Sequence, residues 1–478
     1  MEAMTTPVPS RPHTADQGGA SGTHPDLAAL GERLRETEAR TGVRVDLFVE
    51  RVRGAERFVP DDATVTWEPY EQAGFAVRIR HGDGEGYVAL NSLSGEAFRL
   101  GVRAAADRAG AERFGTDGLA ATVLRAAGHL ESCGPGVAVA APSAELLRTA
   151  RSSALRAARG TASLTSVSVS YSGAARDFLR LGPGIAHLEE AQRWHLVSCR
   201  AVADGTGGPV VGYRKAGVRD IGAWESGLDV VRVGRDAGRA AVAKTAGRPV
   251  TERNVTLVIA AGASGVLAHE LLGHPLEGDV AARRLAGVAW REGERIGPAG
   301  LHVADDPGLA GGWGGFAHDD EGAPARLRRL VRDGTVTGFI DGAGRQRRQS
   351  FRQPPLTRMS NVYVERGPDD PAALTASVGH GFHVARLGGG RVHEDGTFAF
   401  GAVDVRRIRD GSVAEPVSDA VVTGHVAAAL TGIRGIGDDF AMGSPAACAK
   451  YGQEVPVGDG GPTLLVTGLD IEPSHASL

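Results

Sequence analysis

The 478-residue chain has only three cysteines, Cys133, Cys199 and Cys448. An odd number at such wide spacing gives no disulfide framework, so a reducing, cytoplasmic setting is expected. Long apolar runs are missing as well. No segment reaches the eighteen or more residues of a membrane span, and the N-terminus has no positive stretch followed by an apolar core, so neither a membrane partner nor a signal peptide is expected. Charge of one sign is not in excess: 53 Lys and Arg stand against 57 Asp and Glu, a net charge of −4. A nucleic-acid partner would normally require a basic chain. A glycine-rich dinucleotide fingerprint is also absent. Gly262-Ala263-Ser264-Gly265 follows a strand, but the His-Glu pair behind it is the better account of that turn.

What is present is an ordinary globular composition, 42% hydrophobic and 23% charged, long enough for two or three domains. Residues 1–25 are Pro, Thr, Gly, Ser and His with few bulky apolar groups and read as a disordered leader. The periodicity then predicts an N-terminal α+β unit over 26–130. It has a helix at 27–38, strands at 43–49, 65–67, 75–80 and 86–90, a helix opened by Ser94 and another at 116–129. A central α+β unit follows over 131–248, with a helix at 143–159, strands at 165–172, 195–202 and 210–217, and a helix at 229–246. Arg248-Pro249 interrupts the pattern, and 249–478 forms the third region. The fold class expected is α+β, multidomain, with antiparallel sheets.

The third region opens on a buried-looking strand, residues 255–260, then a turn in which Ser264 could cap a short buried helix. That helix carries Ala268-His269-Glu270-Leu271-Leu272-Gly273-His274-Pro275-Leu276-Glu277-Gly278-Asp279. Metallopeptidase helices often place two histidines one turn apart with a Glu beside the first. Here the histidines are five apart, which on a regular helix separates them by about 140° around the axis. Both can reach one metal only if the helix breaks. Gly273 and Pro275 supply a place for the break, with His274 at the unwound end. The competing reading is two structural histidines beside a helix end, and spacing alone leaves both open.

The string His-Glu-x-x-x-His followed by Leu-Glu-Gly-Asp resembles the signature of the TldD/PmbA family of zinc metallopeptidases, in its metal-bearing TldD branch. A second block, Gly443-Ser444-Pro445-Ala446-Ala447-Cys448-Ala449-Lys450-Tyr451-Gly452-Gln453-Glu454-Val455-Pro456-Val457-Gly458, is similar to the family's C-terminal block, and Arg358-Met359-Ser360-Asn361 resembles its Arg-x-x-Asn strand lead. The resemblance runs from about residue 40 to the end. It implies a C-terminal metallopeptidase domain at 249–478. It also implies one Zn2+ per chain held by His269, His274 and Cys448, with water in the fourth position as nucleophile and Glu270 as general base. Small or unfolded peptides are the implied substrates, and the implied assembly is a heterodimer with a motif-less homologue or a homodimer. An amide hydrolase trimming a peptide-like metabolite, or a non-catalytic partner subunit, are the alternatives.

Several residues carry weaker expectations. Glu277 and Asp279 could fix the free nitrogen of a ligating histidine or cap the backbone around Gly278. The basic loop 344–352 reads as solvated surface, or as a flap over substrate. Trp313 and Tyr363 could line a pocket or belong to the core, and the glycines around Trp313 could shape an entrance. His380 and His383 read as structural. The run 397–400 could pair with a peptide backbone, and residues 422–430 read as a helix.

Overall fold

The computed structural model describes residues 25–62, 64–111, 141–183, 185–206, 208–219, 229–283 and 288–474. The expected leader and the candidate helix at 116–129 lie outside them. In chain order the first half contains α1 (Pro25–Thr41), β1 (Val43–Val59), β2 (Thr66–His81), β3 (Gly84–Leu90), α2 (Gly95–Arg108), α3 (Ala144–Ala158), β4 (Leu164–Gly182), β5 (Ile185–Gly205), β6 (Gly208–Val218) and α4 (Val230–Thr245). The six strands form one antiparallel sheet in the order β3-β2-β1-β4-β5-β6. Strands expected in two separate units, before and after residue 130, thus share a single sheet.

Strand alternation sorts the side chains of this sheet onto two faces. Val43, Val45, Leu47 and Val49 of β1 pack with Phe98, Val102 and Ala105 of α2. Farther along, Val167, Val169, Val197 and Cys199 pack with Leu147, Ala150 and Ala154 of α3 and Val233, Ala237 and Ala241 of α4. Three helices start where a short polar side chain can accept an orphan amide: Ser94 from Ala97, Ser143 from Leu146 and Asp229 from Arg232. Helices α3 and α4 approach so closely that a Cβ on Gly234 would stand 2.0 Å from the carbonyl oxygen of Ala150. Only glycine allows that crossing.

The opposite face is charged and buried. Arg176 reaches Glu50 at 2.6 Å and Asp320 at 3.0 Å, and Arg180 reaches Asp46 at 2.7 Å. Phe351 packs in one cluster with Phe48, Ala76 and Phe178. Its amide donates to Glu50 Oε2 at 2.9 Å, and Tyr87 Oη donates to the Phe351 carbonyl at 2.7 Å. This corrects the reading of the loop 344–352 as solvated surface or flap. Arg345, Arg347 and Arg348 are almost fully buried. The loop is the joint between the sheet and the C-terminal half. Its guanidinium groups donate to carbonyls and carboxylates there, which is what makes burying them tolerable.

The C-terminal half opens with β7 (Glu252–Ile259) and contains β8 (Val303–Asp305), β9 (Arg328–Arg332), β10 (Thr335–Val336), β11 (Gln346–Arg347), β12 (Leu356–Thr357) and β13 (Asn361–Val364). Then come β14 (His380–Val392), β15 (Thr397–Arg409), β16 (Ser412–Pro416), β17 (Ala420–His425), β18 (Ile433–Ile436), β19 (Ala441–Met442), β20 (Ala446–Lys450), β21 (Gln453–Gly461) and β22 (Leu464–Pro473). One sheet runs β14-β7-β22-β17-β15-β16, and β14 also pairs with β15, so its five inner strands close on themselves. The other runs β10-β9-β8-β13-β21-β19, with β20 on β21. Helices, an antiparallel first sheet and these two sheets make the class α+β, as the pattern predicts.

Two expectations fail here for clear reasons. Residues 422–430 are not one helix. The β-branched run Val421-Val422-Thr423 belongs to β17, and the helix occupies only Val426–Thr431. Residues 397–400 are not available to a peptide, because Phe398 pairs with Val392 on one side and Gly424 on the other. Among the described residues, no helix is long and apolar enough to cross a membrane.

Candidate metal centre

Strand β7 delivers the chain to a turn in which Gly262 adopts φ +79°. A short helix, α5 (Ser264–Leu267), follows directly. Ser264 does not cap it. Ala263 holds that position, and the Ser264 hydroxyl donates instead to the Pro462 carbonyl at 2.7 Å, tying the helix start to the C-terminal sheets. The helix then widens into a π turn, Ala268–Gly273.

That widening corrects the expectation of a break between the two histidines. His274 keeps helical dihedrals, φ −61° and ψ −48°, and its amide donates to the His269 carbonyl at 3.0 Å. A five-residue hydrogen-bonded turn puts residues five apart on one face, as an ordinary turn does for residues four apart. The sequence favours the extra residue at this point. Pro275 has no N–H to extend the ladder, and its ring crowds the carbonyl four residues earlier. Gly273 lets the wide turn press on Met359, whose sulfur would stand 3.0 Å from any added Cβ.

The result brings the two imidazole rings to 5.0 Å between centroids, nearly perpendicular at 81°. Cys448 arrives from β20, which hangs on β21 by the pair Cys448 to Val455. Its Sγ lies 3.1 Å from His274 Nε2. One ligand atom from each of His269, His274 and Cys448 falls within 4.8 Å of the others, and no other such group occurs among the described residues. Two imidazoles and a thiol form a borderline-soft donor set of the kind zinc takes. The fit has a second sign: His269 Nδ1 is buried with no hydrogen-bond partner.

The electrostatics of the trio favour a thiolate. Burial pushes the Cys448 thiol up, but hydrogen bonds with His269 and His274 overcome this and hold it at about 5. Burial works against charge on the two imidazoles, yet Cys448, and for His274 also Glu277, raise both above the ordinary histidine value. A metal would replace those protons. By contrast Cys199, in the apolar core of the first sheet, is pushed up to about 12 by burial alone.

Glu277 is fully buried and is the keystone under His274. Its Oε2 accepts from His274 Nδ1 at 3.2 Å and from Lys450 Nζ at 3.0 Å, and its Oε1 accepts from the Met359 amide at 3.1 Å. Burial would raise its pKa, but the bond to His274 and the charges of His274, Lys450 and Arg358 bring it down to about 2. The carboxylate thus fixes which imidazole nitrogen faces the centre. Asp279 does not touch a histidine. It holds Lys450 at 2.9 Å.

Two basic residues that carry no site expectation in the sequence complete the support. Arg358 is fully buried, donates to the Gln453 and Cys448 carbonyls, and so braces the strand that bears the thiol. Lys450 shares a strand face with Cys448, and a period of two along the C-terminal block is the signal that could have found it. Asn361, the end of the same lead, accepts from the Gly314 amide at 2.9 Å and donates to the Asp306 carbonyl at 2.8 Å, shaping the glycine-rich loop. Asp459, which lies in a glycine run with no pattern to mark it, is buried beside the site. Burial raises its carboxyl to about 6 against the lowering charges of His269 and Lys215.

His269 and Glu270 line one wall of a cavity of about 960 Å³ between the C-terminal half and the face of β5 and β6. Burial raises the Glu270 carboxyl above the usual range. Trp313 and Tyr363 are not among the residues lining this cavity. Trp313 packs on Gly217 and accepts at its carbonyl from Trp194 Nε1, while Tyr363 meets the Phe440 ring edge-on at 5.8 Å. His380 pairs with Glu252 at 3.0 Å on β14 and joins no metal-type group.

Residues 252–473 match the family described as the PmbA/TldA metallopeptidase C-terminal domain. A metalloprotease of Methanothermobacter thermautotrophicus is 31% identical over 292 residues, 58% of this chain and 63% of its own length. A metalloprotease of Synechocystis is 30% identical over 323 residues, 64% of this chain and 69% of its own. A protein of Saccharolobus solfataricus named zinc metalloprotease TldD homolog is 28% identical over 228 residues, 45% of this chain and 51% of its own. The chain therefore spans between half and about two thirds of these relatives. In fold, it superposes on a Thermotoga maritima crystal structure described as a candidate modulator of a DNA gyrase, with TM-score 0.69 and 16% identity over 93% of this chain and 99% of that one. From the two motifs, the converging trio and these matches together, the chain belongs to the TldD/PmbA family.

Proposed function

We propose that this protein hydrolyses amide bonds of small or unfolded peptides, using one zinc ion held by His269, His274 and Cys448. The observation that carries the reading is the convergence of those three ligand atoms within 4.8 Å, with Glu270 in the same cavity wall as His269. Zinc in that site would polarise the scissile carbonyl and acidify water. Glu270 is the general base: its carboxylate takes the proton of the attacking water and delivers it to the leaving amine. Its raised proton affinity suits both halves of that task. Glu277 keeps His274 oriented, and Arg358 and Lys450 hold the thiol-bearing strand against it.

The working unit in this reading is a dimer, of two copies or of this chain with a relative lacking the motif, and its setting is cytoplasmic. Family membership supports the dimer, and the free thiols of Cys199 and Cys448 support a reducing compartment. Enclosure by a partner would keep folded proteins away from the site. Mass in solution and cleavage of an unstructured peptide, followed together for the chain alone and mixed with such a relative, separate the two assemblies. A fully active monomer that also cuts compact proteins would defeat this part.

The chemistry is tested by Glu270→Gln. The variant should retain one zinc per chain by elemental analysis and lose hydrolysis of an unstructured peptide by about 10²-fold or more. Turnover equal to wild type at saturating zinc would assign the base elsewhere.

A further inference from the structure

The metal-bearing cavity has a far wall that the chemistry above does not use. Strand alternation decides what that wall presents. On β6, Gly212 turns toward α4, where a Cβ would stand 2.0 Å from the Ala237 carbonyl oxygen. Val211, Tyr213, Lys215 and Gly217 therefore face the other way, and all four line the cavity with His269 and Glu270. Gly217 shows how near this face comes to the centre. A Cβ there would lie 3.0 Å from Pro445, three residues before Cys448. On the neighbouring strand Ser198 pairs with Lys215 and Arg200 with Tyr213. Arg200 also lines the cavity, diagonal to Lys215.

The cations lining the cavity divide into two kinds. Lys244 is neutralised by Asp419 at 2.7 Å, and Arg386 stands 3.6 Å from Asp404. Lys215 and Arg200 have no carboxylate within ion-pair distance among the described residues. Asp459 is close enough to be felt by Lys215 but forms no ion pair with it. Lys215 is half-buried, and burial disfavours its charge. A partly desolvated ammonium without a counter-ion, across a cavity from a hydrolytic centre, is a site for an anion.

We propose that Lys215, assisted by Arg200, anchors a carboxylate of the bound peptide and so selects substrates that carry one close to the bond to be cut. This rests on the peptidase reading for its setting. The carboxylate has two possible sources, the free C-terminus of a short peptide or an Asp or Glu side chain. A C-terminal source makes the enzyme a trimmer of peptide ends, and a side-chain source makes it selective for acidic sequences.

The test is equilibrium binding to full-length, zinc-loaded protein carrying Glu270→Gln, so that nothing is turned over. Three fluorescein-labelled hexapeptides of otherwise neutral residues are compared by anisotropy: one with a free C-terminus, its amide, and an amide with Glu in the last position. The free acid should bind about tenfold or more tightly than the neutral amide, the size of one charge-assisted bond. Lys215→Met should erase that preference while leaving the neutral amide's Kd unchanged, and Lys215→Arg should restore it. Recovery of tight binding by the Glu-bearing amide assigns the anchor to side chains as well, and failure to recover restricts it to the C-terminus. Equal binding of acid and neutral amide, equal weakening of both by Lys215→Met, or no binding of any peptide overturns the anchor. Whether wild type cleaves peptides is decided separately, by the Glu270→Gln activity comparison, so an anchor that fails while peptides still bind leaves the peptidase reading in place.

Discussion

Nδ1 of His274 and Oε2 of Glu277 stand 3.2 Å apart, three residues along the chain, and the carboxylate is sealed from water on every side. A fully buried carboxylate is tolerable only because His274, Lys450, Arg358 and the Met359 amide surround it. Glu277→Gln keeps the shape and removes the charge. It should weaken zinc binding about 10- to 100-fold in competition with a chelator. It should also destabilise the metal-free fold by about 3–5 kcal/mol in urea, since Arg358 loses its carboxylate partner and Lys450 one of its two. Asp279→Asn, at a partly exposed partner of Lys450, should cost less than about 1 kcal/mol.

The same carboxylate gives a pH signature. Its folded pKa, about 2, lies below the ordinary value of 4.5. A depressed carboxylate contributes stability that is fully present above its unfolded pKa and is lost as pH falls through the folded one. Stability of the metal-free protein should therefore decline between about pH 4.5 and 2. Glu277→Gln should flatten that part of the curve. An unchanged acid slope in the variant would show that other carboxylates govern the transition.

Cys448 offers a test that needs no substrate. With its thiol held at about 5, chelator-treated protein should be alkylated by iodoacetamide at Cys448 with a midpoint near that pH, measured by mass spectrometry of the peptide. Cys199, buried in the first sheet and pushed up to about 12, should stay unmodified at neutral pH. Zinc should protect Cys448. Alkylation of Cys448 to the same extent with and without zinc would remove the thiol from the ligand set.

The candidate ligands, which the structure brings within 4.8 Å of one another, were legible as a set in the sequence because their chemistry is local: His-Glu-x-x-x-His beside a glycine and a proline, and a cysteine in its own block. The way His269 and His274 come together was not. A break and a π turn both answer the same spacing and the same Gly273 and Pro275, and the packing of Met359 on Gly273 that accompanies the π turn comes from 86 residues away along the chain. The helix starts at Ser94, Ser143 and Asp229 were legible for the opposite reason, since capping is decided within three residues. The loop 344–352 misled because a run of arginines resembles solvated surface until Glu50, Asp320 and Glu321 meet it from distant positions. Burial by a partner element is a tertiary fact, and charge composition points away from it.

That loop also makes the joint between the halves the place where stability should be most sensitive to charge. Arg176 sits between Glu50 of its own sheet and Asp320 of the C-terminal half, with its guanidinium over the Phe178 ring at 4.9 Å. Arg176→Met removes the cation and strands two buried carboxylates, which should destabilise the protein by about 3–5 kcal/mol. Asp320→Asn alone should also be costly, because its other oxygen accepts from the Arg348 amide in the loop. If the pair acts as a unit, the double variant should be less destabilised than the sum of the singles, by about 1–3 kcal/mol in urea unfolding. None of these substitutions touches the candidate metal ligands, and Arg347, whose guanidinium donates to the Met359 and Pro456 carbonyls, is unchanged in all three variants. Zinc content should therefore remain one per chain while the unfolding midpoint falls. Strict additivity would mean that the sheet and the C-terminal half are held together by the apolar contact of Phe351 with Phe48 and Phe178, with the charges indifferent to the joint.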